Sequence, residues 1–341
     1  MKILIASHAF YPSVGGIETV SSILAHEFIN QSHEVKLITQ TLATDTKSFP
    51  FEIVRQPKPQ RLFNLMRWCD VFFQNNISLR TVWPLLLIHR PWIVAHQTWL
   101  TRVDGILSWQ QYLKQFWLQF ASSISISQSI ADNISMPSVI IGNPYDEDIF
   151  YEIPEVARNK ELVFLGRLVH DKGVDLLISA LGKLKIQGLT PQLTIIGTGP
   201  EENFLRSLAN DVGVFTQVNF VGTQMGIELV QLLNSHQILV VPSRWREPFG
   251  IVALEGIACG CVVVGSEEGG LKDAIGSCGV TFPNGDVQAL AQKLADLLLN
   301  QSQLATYKSQ AEIHLSRYKK TAVAKAYLQV FDEATKRFQP L

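Results

Sequence analysis

The sequence predicts an α/β protein of two domains, each built on a parallel sheet. Short apolar runs alternate with amphipathic stretches along nearly the whole chain, which is the pattern of βα units. The chain has 341 residues, and at roughly 100–200 residues per domain this length corresponds to two domains. Because 47% of the residues are hydrophobic and 17% are charged, the composition is that of a globular chain.

The apolar runs predict two series of strands separated by a linker. The first series is 2–6, 34–39, 51–55, 71–73, 92–96, 123–126 and 138–141, and the second is 161–166, 192–197, 218–221, 238–242, 262–265 and 279–282. Residues 143–154 between them are rich in turn-forming and acidic residues. We therefore expect domains at 1–152 and 153–319, with a C-terminal helix at about 320–341 that packs back on the first.

Charge, cysteines and apolar segments exclude several classes of protein. The net charge of −1 argues against a dedicated nucleic-acid binder. Four cysteines are too few for a disulfide framework, and the close pair Cys259 and Cys261 lacks the second pair of a zinc site. The apolar run at the N-terminus is too short for a signal peptide, and the run at 82–88 is too short to span a membrane. We expect a cytoplasmic protein, either free or peripheral at the inner face of the membrane.

Glycine-rich turns follow several predicted strands, at the sheet edge where ligands of α/β proteins bind. Gly15 and Gly16 open a helix after the first strand, so they either admit an anion to the helix N-terminus or make a tight turn. The spacing is not G-x-G-x-x-G, and no carboxylate ends the strand at 34–39. A dehydrogenase is therefore disfavoured.

Charged residues after the strands of the second series suggest an anionic ligand. Arg167 and Lys172 lie in a loop bounded by glycines, where they are either surface cations or a pair that binds a diphosphate. Glu255 is the only charge on an otherwise apolar helix, so it needs a partner from a ligand or from elsewhere in the fold. Glu247 precedes Pro248, which we expect to begin that helix.

Glu247 and Glu255 form an E-x7-E motif, and with it the sequence resembles the retaining glycosyltransferases of the GT-B fold, family 4. The resemblance covers essentially the whole chain, and its motifs stand in this order at the ends of predicted strands. They are Gly15-Gly16-Ile17-Glu18, His96, Gly166-Arg167-Leu168 with Lys172-Gly173, Gly197-Thr198-Gly199-Pro200, Phe220-Val221-Gly222, and Pro242-Ser243 with Glu247-Pro248-Phe249-Gly250 and Glu255. The implied architecture is two Rossmann-like domains that face each other across a cleft.

The resemblance also implies roles for individual residues. Arg167 and Lys172 would stabilise the leaving diphosphate, Glu247 would hold the transferred sugar, and Glu255 would hold the ribose diol. His96 would lie close to the sugar and the acceptor, although the residue pattern alone favours a satisfied core histidine. The remaining expected donor contacts are Gly15, Gly16, Gly166, Gly197, Gly199, Val221, Gly222, Phe249, Gly250, Ile251 and Val252.

The implied reaction moves a hexose from a nucleotide-diphosphate sugar to a saccharide or lipid-linked acceptor, with retention of configuration. UDP-sugars are favoured as donors, with GDP-mannose as the other candidate. Front-face attack would need no cofactor and no metal, because Arg167 and Lys172 supply the positive charge. Asp146 and Asp148 form a D-x-D sequence, which in another glycosyltransferase fold binds a metal ion. Here the two residues fall in the predicted linker.

The segment 61–120 concentrates aromatic and basic residues in the acceptor-side domain. It holds six of the seven tryptophans and six Arg or Lys against two Asp, a local charge of +4. These residues suit peripheral membrane contact, with a helix at 105–120, or they fill the core. Two other functions stay open: a GT-B-like sugar-nucleotide epimerase, and a non-catalytic sugar-nucleotide-binding subunit of a heteromeric transferase.

Overall fold

A computed structural model describes residues 1–13, 15–42, 47–100 and 109–338. These residues form two compact units. The first unit combines Met1–Pro144 with Lys320–Leu341, and the second unit is Tyr145–Lys319.

The first unit is built on a seven-stranded parallel sheet. Its strands are β1 Lys2–Ser7, β2 Glu34–Thr39, β3 Glu52–Arg55, β4 Val71–Asn75, β5 Trp92–His96, β6 Ser122–Ser125 and β7 Ser138–Ile140, in the order β3-β2-β1-β4-β5-β6-β7. The helices of this unit are α1 Gly16–Asn30, α2 Pro59–Trp68, α3 Leu79–Val82, α4 Trp109–Leu118, α5 Gln128–Ala131 and, at the end of the chain, α14 Lys320–Phe338.

The second unit is built on a six-stranded parallel sheet. Its strands are β8 Lys160–Leu165, β9 Leu193–Ile196, β10 Val218–Gly222, β11 His236–Val241, β12 Val262–Ser266 and β13 Gly279–Phe282, in the order β10-β9-β8-β11-β12-β13. Its helices are α6 Val174–Ile186, α7 Glu202–Asp211, α8 Gly226–Asn234, α9 Ile251–Ala258, α10 Leu271–Ile275, α11 Val287–Leu299, α12 Gln301–Lys308 and α13 Ala311–Leu315.

The predicted fold class is confirmed, because both units are Rossmann-like with parallel sheets. Each predicted strand has an observed counterpart that differs by a few residues at its ends. The central strands are readable from the sequence because they are buried on both faces and therefore mostly apolar, as in β1 and β11.

The chain reverses its winding direction once in each sheet. In the first sheet this switch point lies between β1 and β4, and in the second it lies between β8 and β11. At a switch point the loops that follow the two strands diverge and leave a crevice at the carboxyl edge. Ligand sites are therefore expected at the loops that follow these four strands.

The last helix, α14, completes the first unit. Its Tyr327 and Phe331 are fully buried, and their rings lie 5.4–5.5 Å from the rings of Phe28 on α1 and Phe73 on β4. Replacing such an aromatic side chain by alanine typically costs about 3–5 kcal/mol. The helix is thus an integral part of the core of the first unit.

The division between the units falls at Pro144, eight residues before the sequence-based boundary at 152. The difference arises because the acidic segment packs on the second unit. The amide of Tyr145 donates to the carbonyl of Tyr318 at 3.2 Å, and Asn234 hydrogen-bonds both the carbonyl of Tyr151 and the amide of Ile153.

The four cysteines are free and buried, as expected of small apolar side chains. Within the described ranges, no helix has both the length and the apolar character needed to cross a membrane.

Candidate functional site

The candidate site in the second unit lies at the switch point between β8 and β11. The loop after β8 carries Arg167 and Lys172, and the loop after β11 carries Ser243 and Glu247. Gly173 joins the two loops: it has a φ of +67°, and a Cβ there would lie 2.0 Å from the carbonyl oxygen of Pro242. Only glycine permits this approach, so the sequence brings the two loops together at a fixed point.

Glycine contacts also bind the loop after β9 to the loop after β8. A Cβ on Gly197 would lie 1.9 Å from the carbonyl oxygen of Gly166, and one on Gly199 would lie 2.2 Å from that of Leu168. The amide of Leu168 also donates to the carbonyl of Thr198 at 3.0 Å. These predicted donor-site glycines therefore have a structural reason of their own, which is close backbone packing.

Lys172 and Glu247 form an ion pair across the switch point. The Lys172 Nζ lies 2.6 Å from the Glu247 Oε1, and the Ser243 hydroxyl donates to the same oxygen at 2.8 Å. The side chains of Lys172 and Glu247 are partly buried, and Ser243 is almost completely buried. Because both donors use Oε1, the Glu247 Oε2 is available to accept hydrogen bonds from a ligand.

Arg167 and Arg244 differ in their surroundings. Arg167 is exposed, and within the described ranges its guanidinium has no hydrogen-bond or ion-pair partner. Arg244 forms a two-pronged ion pair with Asp175 at 3.0 and 2.6 Å. This pair fixes the loop of Ser243 and Glu247 to helix α6, which starts directly after the loop of Lys172.

Helix α9 begins at Ile251, so the expectation that it begins at Pro248 was wrong. Gly250 is its N-cap, with a φ of +103° that places it in the left-handed region. A β-carbon at Gly250 would meet Leu271 on α10, at 2.5 Å. The first helical amides, those of Ile251 and Val252, have no acceptor within the helix, as at any helix N-terminus, while the ring of Phe249 is buried.

The carboxyl group of Glu255 lies on α9, within the second unit. Desolvation, with a smaller contribution from the charge of Asp146, raises its pKa to about 7. Over the described residues, no protein group donates a hydrogen bond to it or forms an ion pair with it. A pair of ligand hydroxyls would supply the donors that this carboxylate lacks.

Val221 and Gly222 lie at the carboxyl end of β10, the edge strand of the second sheet. The pairing with β9 shifts between Phe220 and Gly222, which leaves Val221 in a bulge. A bulge takes one residue out of the ladder. The carbonyl of Val221 accepts from the side-chain amide of Gln224 at 2.8 Å, and nothing lies within 4 Å of a Cβ built on Gly222.

In the first unit, Gly15 and Gly16 stand at the start of α1 as expected. Gly15 is the N-cap in an extended conformation, and a Cβ there would lie 2.6 Å from the Glu18 Oε2. Arg55 holds the preceding loop, because its guanidinium donates to the carbonyl oxygens of Tyr11 and Thr41 at 2.9 and 2.8 Å.

His96 is buried at the end of β5, with 1% of its surface exposed. Its Nε2 lies 3.1 Å from the Ser123 hydroxyl, and burial lowers its pKa to about 4. The imidazole is therefore neutral at pH 7 and has a protein partner.

The aromatic segment 61–120 divides into a buried and an exposed part. Trp92 is buried, and Trp68, Trp83 and Trp117 pack against the same core. Helix α4 covers only part of the helix predicted at 105–120, since residues 101–108 lie outside the described ranges. Its exposed large hydrophobic side chains, together with that of Phe120 beyond its end, are Trp109, Tyr112, Leu113, Phe116 and Phe120.

The D-x-D sequence lies at the start of the second unit, where the amide of Asp148 donates to the Asp146 carboxylate at 3.2 Å. Among the residues that the structure describes, no group of three or more His, Cys, Asp or Glu is placed to hold a metal ion.

Sequence reasoning placed Ser243 in a motif without giving it a role, and it missed Asp175 and the role of Arg244 in holding the loop. Ser243 carried a positional signal, because it directly follows a predicted strand. The pairing of Arg244 with Asp175 joins residues 69 positions apart, so only the folded chain reveals it.

Comparison with known proteins bears on the same region of the chain. The family profile described as "Glycosyl transferases group 1" matches residues 146–314, which lie within the second unit. Over these residues, which are just under half of the chain, the protein is similar to the glycosyl transferases group 1 family.

Curated relatives match part of this chain. The glycogen synthase of Mycobacterium tuberculosis is 34% identical over 227 residues, which are 62% of this chain and 53% of that protein. The D-inositol 3-phosphate glycosyltransferase of Corynebacterium jeikeium is 31% identical over 185 residues, which are 52% of this chain and 44% of that protein. The chain spans about half the length of the curated relatives it matches.

Solved structures share the fold over nearly the whole length of this chain. Sucrose-phosphate synthase from Thermosynechococcus elongatus superimposes with a TM-score of 0.79 at 18% identity, covering 98% of this chain and 99% of that one. The Anabaena protein HepE, solved with UDP and glucose, gives a TM-score of 0.77 at 19% identity, covering 97% and 99%. The fold is GT-B.

Proposed function

We propose that this protein is a retaining glycosyltransferase that moves a hexose from a nucleotide-diphosphate sugar to a saccharide or lipid-linked acceptor. The observation that carries the proposal is the ion pair of Lys172 and Glu247 at the β8/β11 switch point, with the exposed Arg167 on the same loop as Lys172. Cations for a diphosphate and a carboxylate for sugar hydroxyls thus lie side by side.

The donor is proposed from the relatives and from the groups present. The Anabaena structure contains UDP and glucose, and a relative from Mycolicibacterium smegmatis is named as GDP-mannose-dependent. We favour a UDP-sugar, with GDP-mannose as the alternative. The bulged backbone at Val221 and the carboxylate of Glu255 suit a base and a ribose diol, respectively.

In the proposed reaction, Arg167, Lys172 and the first amides of α9 stabilise the diphosphate. The bond between the anomeric carbon and the phosphate oxygen breaks, and the acceptor hydroxyl forms its new bond to that carbon on the same face. The proton of the acceptor passes to the departing phosphate oxygen. Charge stabilisation and orientation then supply the catalysis.

We propose that neither a metal ion nor a cofactor takes part. The support is chemical: Arg167 offers a planar fork and Lys172 a point charge, which together can balance the charge that develops on the leaving diphosphate.

The test replaces Arg167 and Lys172 separately by alanine and measures hexose transfer from UDP-glucose and GDP-mannose with EDTA present. We expect turnover without added metal in the wild type and a loss of about 100-fold or more in each variant, because each removes a donor from the developing charge. Lys160→Ala, at the opposite end of β8, is the matched control and should be fully active.

Wild-type rates in both variants would refute the diphosphate assignment, and restoration of activity only by Mg²⁺ or Mn²⁺ would refute the metal-independent route. Incubating the donor alone separates the alternatives: an epimer of the donor indicates an epimerase, and donor binding without any turnover indicates a non-catalytic subunit.

We also propose peripheral contact with an anionic membrane through α4. Trp109, Tyr112, Leu113, Phe116 and Phe120 are exposed and recur at helical spacing, so they form one apolar stripe opposite the buried Leu118. An exposed apolar stripe on a helix is typical of helices that lie in a membrane interface.

Flotation with liposomes tests this contact. We expect the wild type to float with vesicles that contain phosphatidylglycerol, and Tyr112→Ser/Phe116→Ser to lose most of that binding because the apolar stripe is interrupted. Ile186→Ser, which removes an even more exposed apolar side chain from the second unit, is the control. A wild-type protein that stays wholly in the soluble fraction contradicts the proposal.

A further inference from the structure

The loop between β11 and α9, residues 242–250, sets the direction of the Glu247 carboxylate. Its Oε1 already accepts from Lys172 and Ser243, at 2.6 and 2.8 Å, so Oε2 is the oxygen offered to a ligand. A side chain takes its direction from the backbone that carries it. The contacts that hold this loop therefore decide where Oε2 points.

The first contact is the ion pair of Arg244 with Asp175, which lies in the first turn of α6. The Arg244 Nη1 lies 3.0 Å from the Asp175 Oδ1, and Nη2 lies 2.6 Å from Oδ2. The two side chains are 28% and 16% exposed, so water screens this pair only in part. A two-pronged pair of this kind fixes direction as well as distance.

Backbone hydrogen bonds hold the same part of the loop. The amides of Arg244 and Trp245 both donate to the carbonyl of Asp171, at 2.9 and 3.2 Å. The segment 171–175 also contains Lys172, whose ammonium contacts Glu247. One short segment thus supplies a partner for the carboxylate and the contacts that hold the loop of that carboxylate in place.

Asn284, in the turn after β13, holds the loop from the side of β12 and β13. Its Nδ2 donates to the carbonyl of Ser243 at 3.2 Å, and its Oδ1 accepts from the amide of Glu268 at 2.9 Å. Glu268 belongs to the loop after β12, and in that loop the amide of Gly270 donates to the carbonyl of Glu247 at 2.7 Å. The backbone around Glu247 is therefore fixed from both neighbouring sides of β11.

We propose that Asp175, Arg244 and Asn284 are positioning residues that act through Glu247. They hold the loop so that the Glu247 Oε2 meets the hydroxyls of the transferred sugar, and they do not contact the donor themselves. The inference rests on the proposed function, because that function assigns the sugar to Glu247. It adds that side chains outside the binding surface decide how the sugar is oriented.

The experiment measures dissociation constants by calorimetric titration for the wild type, Asp175→Asn, Arg244→Gln and Asn284→Ala. The ligands are UDP and UDP-glucose, or GDP and GDP-mannose if the wild type binds these more tightly. We expect each variant to bind the nucleotide sugar at least about fivefold more weakly, because the charge-assisted contact to the sugar is misplaced. Affinity for the nucleotide alone should stay within about twofold, since the variants leave the diphosphate contacts in place.

A double-mutant cycle shows whether the effect passes through Glu247. In a Glu247→Ala background, Asp175→Asn should leave affinity for the nucleotide sugar within about twofold of Glu247→Ala alone, because the group that Asp175 positions is gone. A merely structural role of Asp175 would reduce affinity equally in both backgrounds.

Glu202→Gln is the matched control. Like Asp175, Glu202 is an acidic residue in the first turn of a helix, here α7, and it accepts two hydrogen bonds from an arginine, Arg206, at 3.1 and 2.7 Å. Both isosteric changes remove one negative charge and one arginine ion pair from the second unit. Glu202→Gln should match the wild type in every measurement.

Trypsin provides a readout that needs neither nucleotide nor turnover. Arg246 is exposed within the loop and remains in every variant, so cleavage after it reports how often the loop opens. We expect Asp175→Asn and Arg244→Gln to be cut there at least about fivefold faster than the wild type, because the ion pair that closes the loop is gone.

Four outcomes overturn the inference. They are variants that bind the nucleotide sugar as tightly as the wild type, an equal loss from Asp175→Asn with and without Glu247, unchanged cleavage after Arg246, and weakened binding of the nucleotide alone in Arg244→Gln, which would make Arg244 a donor ligand. A wild type that binds no nucleotide sugar refutes the proposed function instead, and faster cleavage of the variants would then still show that these residues hold the loop.

Discussion

The carboxyl group of Glu255 is charged or neutral depending on small changes of pH, because burial places its pKa at about 7. In its ionised form the group offers only acceptors, as a ribose diol requires. In its protonated form one oxygen carries a hydrogen, so the group donates a hydrogen bond and can accept fewer of them than the carboxylate can. Binding of the diol therefore favours the ionised form and releases a proton.

Affinity for a UDP-sugar should consequently rise with pH. Between pH 6 and pH 8 we expect the dissociation constant for UDP-glucose to fall by up to about tenfold in the wild type, because a pKa near 7 leaves most of the carboxyl groups protonated at pH 6. Glu255→Gln should bind more weakly and show a flat profile. Calorimetric titration at the two pH values measures both, and an equal slope in the variant would show that another group is responsible.

At the scale of elements, the sequence predicted where the strands run but not how the loops meet. The central strands, such as β1 and β11, are mostly apolar and buried on both faces, so the pattern marks them directly. The pairing of Lys172 with Glu247 joins residues 75 positions apart and depends on the strand order, which a local pattern does not contain.

The start of α9 shows a second limit of the sequence. Proline at the first helical position is a common signal, and Pro248 provided it. The chain instead pairs with Gly269 at Glu247, bends at Pro248 and Phe249, and turns through Gly250 in the left-handed region, where Gly250 packs against Leu271. Tertiary contacts decided this boundary, three residues beyond the predicted one.

At the scale of the whole molecule, each unit carries a buried neutral histidine. Burial lowers the pKa of His96 in the first unit and of His236 in the second to about 4. His236 is fully enclosed, between the carbonyl of Leu232 and the hydroxyl of Thr194. Lowering the pH should therefore reduce the stability of both units.

The folded pKa values lie below the unfolded value of 6.5, so the unfolded chain takes up protons first as the pH falls. The contribution of the neutral imidazoles to the free energy of unfolding is therefore complete above pH 6.5 and is lost as the pH falls toward 4. When the pH is lowered from 7 to 5, we expect the free energy of unfolding to fall by about 2 kcal/mol for each imidazole. Urea denaturation at the two pH values measures this change.

Glutamine variants at 96 and 236 should be less stable at pH 7 but should depend less on pH. Titration of the two imidazoles by NMR provides a check that needs no variant, and pKa values near 6.5 for both would contradict this account.

Helix α14 makes the order of synthesis matter. Its Tyr327 and Phe331 cover Phe28 and Phe73, yet the ribosome must translate the whole second unit, Tyr145–Lys319, before it reaches them. At about 5–20 residues per second, these 175 residues take roughly 10–35 s. During that interval the nascent first unit presents an uncovered aromatic face, which is a natural binding surface for a chaperone. The half of the protein that is translated first is thus the half that is finished last.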